Sequence, residues 1–249
     1  MVLDKIGSQV ARRADLADAQ VGTMYELLTR HFDGVTRQQF ESDLLEKNWV
    51  ILIERGHQLV GFSTLLVYET ALGGEPLSVV YSGDTIVAPE AWGTATLPRA
   101  WIHAVNALRP PGSSGRYYWL LLTSGFRTYR FLPVFWREFY PRFDRPTPTC
   151  VRGLVDHLAA DRFGSQYHSR EGIVRFKRPQ RLRGQLNRVP HGRITDPHVA
   201  FFTRLNPGSA QGDELVCLTE LIPENLTSAG RRMVNSAKAS HSELQRDYH

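Results

Sequence analysis

Cysteine is scarce: the 249 residues hold two, Cys150 and Cys217. Two thiols cannot build a disulfide framework or a four-cysteine zinc site, and they read as buried thiols of a reducing compartment. Long hydrophobic runs are also missing. No stretch approaches the ~20 uninterrupted apolar residues that a membrane-crossing helix needs. The first 17 residues carry Asp4, Lys5, Arg12 and Arg13 without a long apolar core, which argues against a signal peptide. These absences together predict a cytoplasmic protein with no transmembrane association. The histidines form no HExxH pair and no Cys/His spacing suited to zinc, so no metal is expected. A Gly-x-Ser-x-Gly elbow is absent too, which argues against a serine hydrolase.

What is present suits a globular chain. Hydrophobic residues make up 42% and charged residues 22%, enough apolar material for a core without disulfides or metals. The formal net charge is +5 and the sequence pI is near 9.4. That balance favours an anionic partner, without choosing between nucleic acid, phospholipid and a phosphate-bearing cofactor.

The hydropathy pattern starts with a short strand near residues 9–13. Residues 15–32 place Leu16, Val21, Met24, Leu27 and Leu28 at helical spacing. Residues 36–47 open with Thr36 three residues before Gln39, a capping-box start, and carry Phe40, Leu44 and Leu45 on one face. The period then changes. Apolar runs at 49–53, 59–68 and 77–87 are separated by turns at 55–58 and 73–76, the pattern of three antiparallel strands. A small-residue connection at 88–95 leads to a helix over 96–108. A strand at 117–123 follows, so that a strand–helix–strand crossover with parallel pairing is predicted. Residues 127–140 read as a helix started or kinked at Pro133, rich in aromatics from Phe126 to Phe143. Residues 198–205 and 214–221 read as a closing hairpin, and 224–239 as a last helix fraying into a polar tail.

The stretch 144–197 is less regular. It contains a helix near 151–163 and a run, 175–193, with seven Arg or Lys and no acid. Phe176 is the one Phe, Tyr or Trp in the run and no known reader motif accompanies it, which argues against a nucleic-acid platform. Beyond a solvated face, the run suits a phosphate, an acidic peptide or an acyl carrier protein. A His-x4-Asp spacing at His191 and Asp196 is treated as chance, because nothing else of a glycerolipid acyltransferase accompanies it.

The local chemistry concentrates at Glu90-Ala91-Trp92-Gly93-Thr94-Ala95, which follows the strand ending at Val87 and opens a helix. Gly93 has no Cβ, so a phosphate can approach the backbone there. The amides of Trp92, Gly93, Thr94, Ala95 and Thr96 would meet it with the positive end of the helix dipole. This segment resembles the cofactor loop of the GNAT acyltransferase superfamily, (Gln/Arg)-x-x-Gly-x-(Gly/Ala), with Glu90 in place of the usual Gln or Arg. The resemblance extends over about 9–143 and 198–221. It implies an α/β fold, a GNAT-like mixed and mostly antiparallel twisted sheet flanked by helices. The whole of 1–249 then forms one domain, with 144–197 as an insertion.

The resemblance also implies an N-acyltransferase with acetyl-CoA or a longer acyl-CoA as co-substrate and an amine as acceptor. Strands four and five would splay apart. Thr85, Ile86 and Val87 would offer backbone to the pantetheine arm, and the thioester would lie near Ser82 and Asp84, facing Thr123 and Ser124. Direct attack by an amine needs a group to take its proton and a proton for the departing thiolate. Asp84 is the expected base. Tyr129 is the expected acid, with Tyr140 in reserve. Two other readings remain open at this level. The aromatic stretch 126–143 suits a long-chain acyl tunnel serving a peptide or lipid amine. Alternatively, Glu90 marks a degenerate site, and the chain is a non-catalytic module that binds acyl-CoA or another anion.

Overall fold

The computed structural model describes residues 6–110 and 115–235. The predicted loop at 110–115 and the polar C-terminal tail lie largely outside the described residues, as do the first five residues of the leader reading. The described elements are β1 (Ile6–Arg12), α1 (Asp18–His31), α2 (Arg37–Leu45), β2 (Trp49–Arg55), β3 (Gln58–Leu72), β4 (Glu75–Val87), α3 (Thr96–Ala107) and β5 (Arg116–Thr123). They continue with α4 (Phe126–Tyr129), α5 (Phe131–Phe135), α6 (Thr149–Phe163), α7 (Pro197–Leu205) and β6 (Glu214–Glu220). Residues 228–235 are helical.

One sheet runs β1-β2-β3-β4-β5-β6 and is extended beyond β6 by the short ladders Ile173–Val174 and Tyr167–His168. Only β4 and β5 pair in parallel; the other ladders of this sheet are antiparallel. The fold is therefore the mixed, mostly antiparallel α/β sheet that the period changes predict. Thr36 caps α2 by accepting from the Gln39 amide at 3.2 Å, as its spacing implies.

Strand alternation divides the core between the two faces. Ile51, Leu65, Val80, Trp119, Leu121 and Cys217 pack beneath α3, α4, α5 and α7. Leu52, Phe62 and Ile86 pack against α1 and α2. On the same face Val79, Tyr81, Leu120, Val216 and Leu218 pack against α6. Burying each such large side chain stabilises by about 1.5–3 kcal/mol.

Two elements differ from the pattern reading. Residues 198–205 are a helix, not a hairpin strand. Asp196 accepts from the His198 amide at 3.0 Å and Pro197 sits in the first turn. Val199 and Phe202 then share the buried side at a spacing of three. A short apolar run such as Val-Ala-Phe-Phe serves either period, and the cap decided. Residues 127–140 are not one helix. α5 ends where Trp136 turns extended, and Phe139–Tyr140 pair with Thr219 and Leu218 of β6. The edge that β6 offers there outweighs helix propensity.

Candidate active site

The site begins where two strands part. β4 and β5 pair from Leu77–Arg116 to Ser82–Leu121 and no further. Beyond that point β4 stays with β3 as far as Val87, while β5 stays with β6 as far as Thr123. A bulge accompanies the split. Between the rungs Ser63–Thr85 and Leu65–Ser82, β3 contributes Thr64 alone whereas β4 contributes Gly83 and Asp84. The extra residue bends and twists β4. Gly83 leaves room there for two side chains: a Cβ would lie 2.6 Å from Lys47 Cε and 2.7 Å from Thr64 Oγ1. The gap opens into a cleft of about 1020 Å³.

At one end of the cleft lies the predicted anion turn. Gly93 has φ +81° and open space where a Cβ would be. The amides of Gly93, Thr94 and Ala95 have no acceptor among the described residues, and Ala95 gives α3 no side-chain cap. The Trp92 amide differs, since it donates to Pro89 O at 3.1 Å. The Trp92 indole donates to Val87 O at 2.7 Å. Arg127 of α4 lies over that indole, 4.8 Å from the ring centre, and donates to Leu186 O at 2.5 Å. Glu90 is exposed and does not line the cleft, and its carbonyl accepts from Arg55. The departure from Gln or Arg therefore puts no carboxylate in the anion's way. Free amides, an open glycine and a nearby guanidinium together fit a diphosphate.

Thr85, Ile86, Val87, Thr94, Ser124 and Asp84 also line the cleft. Thr85 Oγ1 is already engaged with Ser63 Oγ at 2.7 Å, and the Ile86 side chain is buried against α1 and α2. What these positions offer a ligand is backbone.

At the other end the cleft is charged. Burial raises the Asp84 carboxyl to about 6, and nearby Lys47 opposes that shift. Lys47 is itself buried, which lowers its pKa, and its ammonium donates to Asp43 O at 2.8 Å. Glu214, the first residue of β6, lines the same cleft. Burial first, then the charge of Asp84, raises its carboxyl to about 8. Both groups keep some accessible surface because they face the cleft, though protein surrounds them.

Neither predicted tyrosine reaches this cleft. Tyr129 is fully buried beside Phe139 and Phe202, and its hydroxyl donates to Pro141 O at 3.0 Å. Burial raises its pKa far from any useful acidity. Tyr140 donates to Glu138 at 3.2 Å and does not line the cleft. Tyr129 is drawn away by its packing against Phe202 of α7, and Tyr140 by the break of the expected helix after Phe135, which lets it pair with β6. Of the aromatic stretch, Phe126 and Phe131 line the cleft, whereas Phe135, Trp136 and Phe139 belong to the core.

The basic run roofs the cleft. Arg181–Leu182 pair with Phe32–Asp33, and Arg183 adds an ion pair to Asp33 at 2.8 Å. Arg175 is neutralised by Asp213 and Glu171. Lys177, Arg178 and Arg193 line the cleft. Asp196 of the His-x4-Asp spacing is used by the α7 cap and by Arg130 at 3.0 Å.

Lys47 and Glu214 were not singled out by the sequence. Lys47 follows α2 with no local signal. Glu214 had one: in its strand it is in phase with Val216 and Leu218, which face the core.

Residues 14–102 match the family model described as "Acetyltransferase (GNAT) domain", a segment that includes β2, β3, β4 and the Gly93 turn. Over that segment, about a third of its length, the chain is thus similar to GNAT acetyltransferase domains. No curated protein matches it. Among solved structures it is similar to a GCN5-related N-acetyltransferase from Kribbella flavida, at 15% identity and TM-score 0.38, over 50% of this chain and 32% of that one. It is similar to Escherichia coli ElaA at 18% and 0.38, over 55% and 93%. It is also similar to the Escherichia coli GNAT family N-acetyltransferase YhbS in complex with CoA, at 14% and 0.37, over 51% and 68%. The matched part therefore spans about a third of the Kribbella flavida chain. Among the described residues, no helix is long and apolar enough to cross a membrane.

Proposed function

We propose that this protein moves an acyl group from an acyl-CoA thioester to an amine by direct attack within the β4–β5 cleft. The observation that carries this reading is the parting of β4 and β5 after the Ser82–Leu121 rung, with free amides at one end of the gap and a carboxylate at the other. The amides of Gly93, Thr94 and Ala95 hold the diphosphate, and Arg127 supplies charge beside them. Backbone at Thr85, Ile86 and Val87 aligns the pantetheine arm, and Ser124 borders the thioester. Asp84 meets the amine and draws its proton away. An alkylammonium near its ordinary pKa of ~10.4 is otherwise no nucleophile. With both reactants held in one cleft, most of the acceleration is positioning.

The thiolate's proton is not assigned to Tyr129 or Tyr140, whose hydroxyls are engaged elsewhere. The exposed cations Lys177, Arg178 and Arg193 border the cleft, where they suit a phosphate of the donor. In this reading 144–197 belongs to the same domain and closes its cleft.

Titration calorimetry with acetyl-CoA tests the donor, and saturable binding is expected. Asp84→Asn should keep that binding and lose transfer by about 10²–10⁴-fold. If the wild-type protein binds no acyl-CoA, the reading fails. A longer acyl chain is favoured by one feature, the apolar wall of Leu97, Trp101, Trp119, Phe126 and Phe131. Burial of each added methylene there is worth ~0.8 kcal/mol. Octanoyl-CoA binding no tighter than acetyl-CoA removes that version.

A further inference from the structure

Glu214 is unexplained by the fold. It begins β6, and the register Leu215–Thr123 places it next to Ser124 across the sheet. That is the β5 lip of the cleft, whereas Asp84 lies on the β4 lip. Alternation puts Glu214 on the face of Val216 and Leu218, the α6 side. Asp84 lies opposite Thr64, beside Lys47 on the α2 side of that same face. The two carboxylates thus flank the opening between the parted strands.

The other ionisable groups along this part of the cleft are Tyr81 on β4, Asp43, Glu46 and Lys47 at the end of α2, Arg162 on α6, and Lys177 and Arg178 of the roof. Most are engaged. Arg162 pairs with Glu46, and Lys47 serves Asp43 and Asp84. Among the described residues the Glu214 carboxylate has no hydrogen bond or ion pair. The one charge that acts on it is Asp84, and it acts in the same direction as burial.

We infer that Asp84 and Glu214 work as a coupled carboxylate pair facing one another across the cleft, and that the pair takes up the proton the acceptor amine must lose. The inference rests on the acyl-transfer reading. Two like charges sharing a dry site do not both ionise easily, and the pair takes up its proton as a unit. Lys47 favours the anion at Asp84, so the proton rests on Glu214. In the reaction the ammonium gives one proton to the pair. The freed nitrogen lone pair forms the N–C bond at the thioester carbonyl, and the C–S bond breaks. The nitrogen's second proton ends on the departing sulfur, and the pair releases to water the proton it took from the ammonium. The pair must be ready to accept before each turnover, so kcat/KM should rise with pH up to about 8, where Glu214 loses its proton.

Carboxyl-carbon NMR of the full chain, labelled at glutamate, tests the pair without any acceptor. One resonance should titrate near 8, be missing in Glu214→Gln, and titrate lower in Asp84→Asn. If every glutamate titrates in the ordinary range, the inference is overturned. Release of CoA thiol from acetyl-CoA with a panel of primary amines gives the second arm. Each single variant should lose about 10²–10⁴-fold, and the double variant no more than the worse single one. Additive losses would mean independent carboxylates. Calorimetry keeps the two readings apart. If the variants bind acetyl-CoA normally but Glu214→Gln transfers as well as wild type, the pair fails alone. If the wild type binds none, the acyl-transfer reading fails while the titration still decides the pair.

Discussion

The indole N–H of Trp119 donates to the hydroxyl of Ser82 at 2.9 Å, both groups being buried. This bond runs diagonally from Ser82, on the last parallel rung of β4 and β5, to Trp119, the partner of Val80, and the strands part just beyond Ser82. Ser82→Ala leaves a buried N–H without a partner, a loss of about 1–3 kcal/mol. Urea unfolding should show that loss with an unchanged slope. A smaller effect would mean that the bond does not hold the rung.

The turn at Gly93 makes a prediction about charge. Thr94→Asp puts an anion where the diphosphate is proposed to lie. Acetyl-CoA affinity should fall at least about tenfold, roughly 1.4 kcal/mol, with melting little changed. Arg127→Ala should weaken binding too, and most at low salt, because screening already blunts a surface charge at higher ionic strength. Unaltered affinity in both variants would place the phosphates elsewhere.

Glu214 carries a prediction about stability. Its folded pKa is raised above the unfolded value of about 4.3. The folded chain therefore holds the proton over a range where the unfolded chain has released it. Stability is lost as pH rises from there to about 8, and levels off above. Glu214→Gln removes this dependence. Thermal melts should show wild type and variant alike at pH 5, with the variant increasingly the more stable at pH 7 and pH 9. A variant less stable at pH 9 would mean that the carboxylate has a partner.

The roof is held by close approach. Gly212 has φ +94°, and a Cβ there would lie 2.7 Å from Pro179 Cβ and 2.8 Å from Gln180 O. Gly212→Ala should lift residues 175–193 and raise their rate of cleavage in limited trypsin digestion, at sites such as Arg183 and Arg188. Equal digestion patterns would show that the roof tolerates the added carbon.

Much of the fold could be read along the chain because its signals are local. The capping Thr36, the three apolar runs and the turns between them each depend on neighbours a few residues away. The anion turn was legible for the same reason: a glycine after a strand and before a helix needs no tertiary partner to be suggestive. The helix at 197–205 was misread because its apolar run fits both periods. Tyr129 and Tyr140 were misplaced because one packs against Phe202 of α7 and the other pairs with β6, both far along the chain.

By itself, the sequence determined the order of strands and helices as far as β5 and the position of Gly93 and Asp84 within it, since hydrophobic period, caps and turn residues act over short distances. Only the tertiary structure decided that Lys47 stands beside Asp84, that Glu214 arrives on the opposite lip from 130 residues away, and that the basic run borders the cleft. Those are relations between surfaces brought together by the packing of the whole sheet, and no local propensity encodes them.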